Sequence, residues 1–153
     1  MLRVVKIRLY PNKEQATMFN KLLGCYRVVY NQCLNRKIKS YEKTKTIENR
    51  TTLGHFFHNE LTKNTDFIWL REQNTKVLKQ AIMDMLSAYK NFFERHTGYP
   101  KFKSKHDNKQ SCRFELHAIS KRNDYTTYHI SLANIRNVKF RCNEKYTQYL
   151  QKH

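Results

Sequence analysis

LRVVKIRLY, Leu2 to Tyr10, decides how the rest of the chain is read. Val5, Ile7 and Leu9 share one face while Lys6 and Arg8 point the other way, the period of a half-buried strand. Pro11 then stops ladder pairing, and a strand without a partner is not stable alone. The period of two returns only after Lys109, in Cys112 to Leu116, Tyr128 to Leu132 and Val138 to Cys142, with polar turns such as Lys121 to Asp124 between them. The first strand is therefore expected to pair with these late ones. Everything helical then becomes an insertion between parts of one sheet or barrel.

That insertion starts at Asn12, which stands three residues before Gln15 in the spacing of a capping box. From Lys13 onward Phe19, Leu22, Leu23, Tyr26, Tyr30, Cys33, Leu34, Ile38 and Tyr41 recur at three- and four-residue steps. One long helix or two pieces fit, with Gly24 as the weak point. Its other face carries Arg27, Arg36, Lys37, Lys39 and Lys43. Lys45 to Thr52 reads as a polar connection, and Leu53, Phe56, Phe57 and Leu61 support a short helix capped by Thr51 or Thr52. Phe67, Ile68, Trp69 and Leu70 form a short apolar turn expected to pack into the bundle. Asn74 caps the clearest helix, whose apolar stripe runs from Val77 and Leu78 through Met85 to Tyr89, Phe92 and Phe93.

Of 153 residues, 39% are hydrophobic and 13% aromatic, enough for a core and unlike a disordered basic tail. Thirty Lys and Arg against 12 Asp and Glu leave a formal charge of +18, which opposes compaction unless an anionic partner neutralises it. Nucleic acid is the default partner for such a balance. A membrane is excluded as a solvent for the chain, because no apolar run approaches the roughly 20 residues that span a bilayer, and the N-terminus lacks a signal peptide's apolar region. Cys25, Cys33, Cys112 and Cys142 show no CxxC pair or zinc-ribbon spacing, and the first two read as small core residues.

Catalytic constellations are thin. His55 and His58 lie near Glu60, but metal ligation needs a further convergent ligand. Acidic residues show no pairing for acid and base work or for two metal ions, and there is no phosphate-cradling glycine loop. Basic and aromatic interleaving is the stronger signal. In GYPKFKSKHDNK an extended backbone after Pro100 sends Lys101, Lys103 and Lys105 to one side, about 6.6 Å apart, close to a phosphate repeat. The polar face of the Asn74-capped helix offers Thr75, Lys76, Lys79, Gln80 and Asp84, and Lys and Gln can reach base edges as well as phosphates.

Five segments in register, KIRLYPNKEQ, GCYRVVYNQCL, KVLKQAIMDMLSAYKNFF, GYPKFKSK and VKFR, resemble the N-terminal half of TnpB, the OrfB-type insertion-sequence family related to compact type V CRISPR effectors. They extend from residue 3 to about residue 141. The resemblance implies an α+β fold: a wedge-like, OB-like antiparallel β-barrel, incomplete at the C-terminus, from residues 1–11 and 106–153, with a helical recognition lobe, the region long described as helix-turn-helix, over residues 12–105. It implies guide RNA and double-stranded target DNA as partners, and reading of a transposon-adjacent DNA motif. By position, Thr75, Lys76, Lys79 and Gln80 take the DNA-reading role, and Lys101, Lys103 and Lys105 that of backbone contacts. Arg27, Arg36 and Lys37 complete the expected nucleic-acid-binding set. Arg27, Tyr30 and Asn31 occupy the family's R..YN signature, where Tyr30 is expected to be buried and Asn31 hydrogen-bonded.

Leu132 to Arg136 reads LANIR where the family commonly has LPKIG, so its turn geometry is open. The family's RuvC-like nuclease and zinc ribbon fall beyond His153, so no residue inherits a catalytic or metal-binding role, no cofactor is expected, and the chain is expected to be truncated and unable to cut alone. Two rival readings remain: half of a split nuclease completed by a RuvC-like partner, or an RNA-free DNA-binding repressor. The expected location is the prokaryotic cytoplasm, at the nucleoid.

Overall fold

The computed structural model describes residues 4–115, 128–143 and 146. Leu2, Arg3, Leu116 and the turn expected at Lys121 to Asp124 lie outside them. Strand β1 (Arg8–Tyr10) is followed by helices α1 (Lys13–Thr44), α2 (Arg50–Asn59) and α3 (Thr75–Arg95), then by strands β2 (His129–Leu132) and β3 (Ile135–Arg141). The described strands form one antiparallel sheet of order β1-β3-β2, with Arg8 opposite Arg141 and Tyr10 opposite Lys139. The first strand does pair with the late ones, and all three helices fall between them in sequence. The architecture is α+β, and this three-stranded sheet is open rather than closed into a barrel.

β1 is shorter than its sequence pattern. Residues 4–10 alternate between solvent and core as expected, but the ladder starts at Arg8, because opposite it β3 ends at Arg141. Cys112 to Glu115 form no strand among the described residues. Their alternation survives for another reason: Cys112 and Phe114 pack inward against the core, while side chains tie the segment to α3. Arg113 Nη2 lies 3.0 Å from Asp84 Oδ1, and the Gln80 carboxamide donates to the Glu115 carboxylate. Period two thus marks an extended segment lying along a helix as readily as a strand in a ladder.

The LANIR turn is a two-residue hairpin loop, Ala133 and Asn134, between paired Leu132 and Ile135. Ala133 takes φ of 52°, a left-handed conformation that a Pro or Gly would meet differently. Asn137, with φ of 53°, occupies the bulge that offsets β3 against β2.

α1 starts with both bonds of the capping box: Gln15 N–H donates to Asn12 Oδ1 at 2.8 Å, and Asn12 N–H to Gln15 Oε1 at 2.9 Å. Gln15 Nε2 also donates to the Arg136 carbonyl at 2.8 Å, which moors the helix to the sheet. Gly24 does not break the helix. Glycine inside a helix costs about 0.5–1 kcal/mol, and buried Leu22, Cys25 and Tyr26 around it outweigh that. α2 is capped by Asn49, not by Thr51 or Thr52: Asn49 Oδ1 accepts from both of their N–H groups, and Thr52 supplies the returning capping-box bond.

Residues Thr65–Glu72 wind as a 3-10 helix that buries Leu70 and half-buries Phe67, while Ile68 and Trp69 face solvent. The apolar turn is therefore only partly packed. α3 starts at Asn74, as its sequence indicates, and buries Val77, Leu78, Ala81, Ile82, Met85 and Tyr89 against α1 residues Tyr26, Val29, Tyr30, Cys33 and Leu34. Leu53 and Phe57 of α2 and Ile130, Ile135, Val138 and Phe140 of the sheet complete one core. Cys25 and Cys33 lie in it as free thiols, pushed by burial up to about 11 and about 12. That is the inert, unionised state of a small apolar residue.

Candidate nucleic-acid interface

Asn74 Oδ1 accepts the N–H groups of Lys76 and Val77, turning Val77 into the core and leaving Thr75, Lys76 and Lys79 on the exposed side of the first turns of α3. Arg50, first residue of α2, faces the same space. Arg50, Lys76 and Lys79 line an open groove of about 300 Å³ together with Gln80, Ile82 and Met83. Among the described residues, Arg50, Lys76 and Lys79 have no acidic side chain within ion-pairing distance. The groove's own acid, Glu115, is engaged by Gln80. His58 of α2 is held below its usual range by burial, then by the charges of Lys79 and His55.

Gln80 is placed differently from its expected role. It is only 9% exposed and its amide is committed to Glu115, so it reaches a base edge only by giving up that bond. Arg50 was missed in the sequence because it sits in a stretch that reads as a connection. Its membership depends on where α2 packs.

Arg36 and Lys37 are not displayed for a ligand. Glu48 lies after α1 and is 5% exposed. Arg36 Nε meets its carboxylate at 3.0 Å, Ser40 Oγ donates to it at 2.9 Å, and Lys37 Nζ donates to its main-chain carbonyl at 2.7 Å. Arg36 further holds Glu60 at 2.9 Å and lies over the Phe56 ring. Burial raises the Glu48 carboxyl, but side-chain hydrogen bonding from Thr52, Ser40 and Arg36 and the Arg36 charge win, and it is held below the usual carboxylate range. Lys37 is shifted down by burial, against the pull of Glu48.

The Lys101, Lys103 and Lys105 row does not form. Asn31 clamps the main chain of Lys103, accepting its N–H at 2.8 Å and donating to its carbonyl at 2.9 Å. The Lys103 ammonium then sits 4.7 Å from the centre of the Tyr30 ring. Tyr30 is buried and Asn31 is hydrogen-bonded, the structural role expected of that signature. Ser104 to Asp107 turns the chain, so Lys101 and Lys105 are exposed while Lys103 is half-buried. Arg27 donates to Gln110, which itself braces this loop through the carbonyls of Ser104 and Asp107. Arg27 and Lys103 share an open surface cleft of about 470 Å³ with Lys21 and Trp69.

A further basic surface lies on the outer face of the sheet. Lys6 and Arg8 stand there with Lys139 and Arg141, all exposed. Arg8 and Arg141, directly opposite each other, both lie over the Tyr10 ring at 5.7 and 5.6 Å. Like charges across a ladder are destabilising by themselves, and the shared ring offsets part of that. The Lys6 and Arg8 alternation marks half of this surface in sequence; the Lys139 and Arg141 half depends on register. Among the described residues no group of His, Cys, Asp and Glu can hold a metal ion, and no helix is long and apolar enough to cross a membrane.

Residues 1–46 match the helix-turn-helix domain of the OrfB proteins of IS605-type insertion sequences. The chain is 28% identical over 129 residues to a protein of Streptomyces pristinaespiralis named as an RNA-guided DNA endonuclease, covering 82% of this chain and 31% of that one. It is 27% identical over 107 residues to InsQ of Escherichia coli K12, named likewise, covering 70% of this chain and 26% of the relative. With the virulence protein VsdF of Salmonella dublin it shares 30% identity over 115 residues, 69% of this chain and 96% of VsdF. The chain belongs to the TnpB, OrfB-type family. It spans about a third or less of the length of the two endonuclease relatives. In this TnpB-type chain the described part of the span matched as helix-turn-helix folds as a strand and one unbroken helix.

Proposed function

We propose that this chain is a nucleic-acid-binding module of a TnpB-like protein, which binds guide RNA and contributes to reading a transposon-adjacent motif in duplex DNA. The observation that carries the reading is the groove at the start of α3, where Arg50, Lys76 and Lys79 have no acidic side chain within ion-pairing distance among the described residues. Phosphates supply the affinity, captured there and by Lys101, Lys105 and the outer face of the sheet. Thr75, Lys76 and Lys79 lie where polar side chains on a helix can bias sequence. The names of the two endonuclease relatives support RNA and DNA as the polymers concerned. On the same reading the three strands belong to a wedge-like barrel and residues 12–105 to a recognition lobe. On this reading bond cleavage is assigned to no residue of this chain.

A salt titration tests this. With about 6–10 phosphates neutralised, affinity falls by roughly 10³–10⁵ between 50 and 200 mM salt. A flat titration overturns the reading. Lys79→Ala is expected to weaken discrimination between DNA motifs more than affinity for DNA in general. Equal losses on every sequence would make Lys79 one more phosphate contact.

A further inference from the structure

At the opposite end of α3 the apolar stripe outruns the core. Phe93 is 70% exposed, Tyr99 47% and, across from them on α1, Tyr41 54%. With Ile47 these side chains line a cleft of about 500 Å³ between the C-terminal ends of α1 and α3. Two of its rings are tied together by a hydrogen bond. The Tyr89 and Tyr99 hydroxyls are hydrogen-bonded at 2.6 Å and their rings meet edge to face, while Phe93 lies nearly parallel to Tyr89 at 6.5 Å. Cations flank them: Lys37 Nζ is 5.1 Å from the centre of the Tyr89 ring, and Lys45 Nζ is 4.8 Å from that of Tyr41.

We propose that this cleft is a stacking site for unpaired nucleobases of single-stranded RNA, a role that rests on the nucleic-acid reading above and adds a second site to it. Exposed ring faces beside ammonium groups suit a flat π-system carrying a phosphate. A duplex cannot use them, because its bases are already stacked and paired. The cleft also holds the Glu42 and Thr46 side chains, acceptors for a ribose 2′-hydroxyl that DNA lacks. Tyr41, Phe93 and Tyr99 take the bases, and Lys45 an adjoining phosphate, while Lys37 stays bound to the Glu48 carbonyl and the Tyr89 ring.

The test is fluorescence anisotropy of the whole chain with labelled 12-nucleotide oligo(U), oligo(dT) of the same length, and a 12-base-pair DNA duplex. Tyr41→Ala and Phe93→Ala should each weaken oligo(U) binding by about 10-fold, with duplex affinity unchanged. Phe93→Trp should restore it, and Phe93→Leu, which keeps bulk but loses the ring face, should not. Unchanged oligo(U) affinity in both alanine variants overturns the proposal while leaving duplex binding, and the broader reading, intact. Wild-type behaviour of Phe93→Leu overturns stacking, and equal affinity for oligo(dT) overturns the assignment to RNA. If oligo(U) affinity is unchanged and Phe93→Ala instead abolishes a dimer seen by sedimentation, the cleft belongs to a second copy of the chain. Absence of any binding by the wild-type chain defeats both readings together.

Discussion

The C-terminal third of α1 and the first turns of α3 carry similar charges to different ends. Arg36 and Lys37 meet a buried carboxylate and aromatic rings, and their donors are committed inside the fold. Lys76 and Lys79 face an open groove whose acid, Glu115, is engaged by Gln80, and among the described residues no acid lies within ion-pairing distance of them. Basic residue type alone therefore says little about binding. What decides is whether an acceptor has been buried beside the charge, because desolvation makes a committed charge costly to release and a displayed one cheap to lend to a ligand.

The largest expected effect separates the two sets by stability. Arg36→Ala leaves the Glu48 carboxylate without its guanidinium, and should destabilise the fold by about 2 kcal/mol in urea unfolding; one-third exposure of Arg36 keeps the figure below that of a fully buried pair. Lys76→Ala and Lys79→Ala should change stability by no more than about 0.5 kcal/mol, yet Lys76→Ala should lower the salt slope of binding by about 1 and Lys79→Ala should weaken discrimination between DNA motifs. If Arg36→Ala leaves stability untouched and reduces the slope instead, the distinction between the two regions fails.

Local features were legible in sequence. The Asn12 and Gln15 box, the Asn74 cap and the apolar stripe of α3 all follow from neighbours within one helical turn. The pairing of β1 with β3 was legible for a different reason, since an unpaired strand must find a ladder somewhere. Features that depend on how elements pack were not. Glu48 stands in a stretch that reads as a polar connection, and nothing in its spacing shows that it is buried under α1. Arg50 joins the α3 groove only because α2 packs beside it, and Cys112 to Glu115 alternate like a strand while lying along a helix. Arg36, Lys37 and Lys103 were expected among the ligand contacts because charge is visible in sequence and its partners are not.

Lys103 is the sharpest intermediate case. Asn31→Ala removes both bonds that hold its main chain and should cost about 1–2 kcal/mol in the same unfolding experiment. Lys103→Ala then assigns the side chain. If the ammonium belongs to the Tyr30 ring, as the structure has it, stability falls by about 0.5–1 kcal/mol and the salt slope of binding is unchanged. A slope lower by about 1 with unchanged stability would move Lys103 into the displayed set and restore the three-lysine row along the backbone.

The smallest effect is a pH dependence. Because hydrogen bonds and Arg36 hold the folded Glu48 carboxyl below its ordinary value of 4.5, the unfolded chain takes up a proton there before the folded chain does. The stability that Glu48 contributes is therefore fully present above pH 4.5 and is lost as pH falls through the folded value, with a slope of at most about 1.4 kcal/mol per pH unit. Other carboxylates add their own acid sensitivity, so the informative quantity is the difference between the wild type and Glu48→Gln, an uncharged side chain of the same shape. That difference should be constant from pH 7 to 5 and shrink below about 4.5. A difference that stays constant down to pH 3 would mean that the carboxylate is not held by its neighbours, and that the charges around it are as free as those at the start of α3.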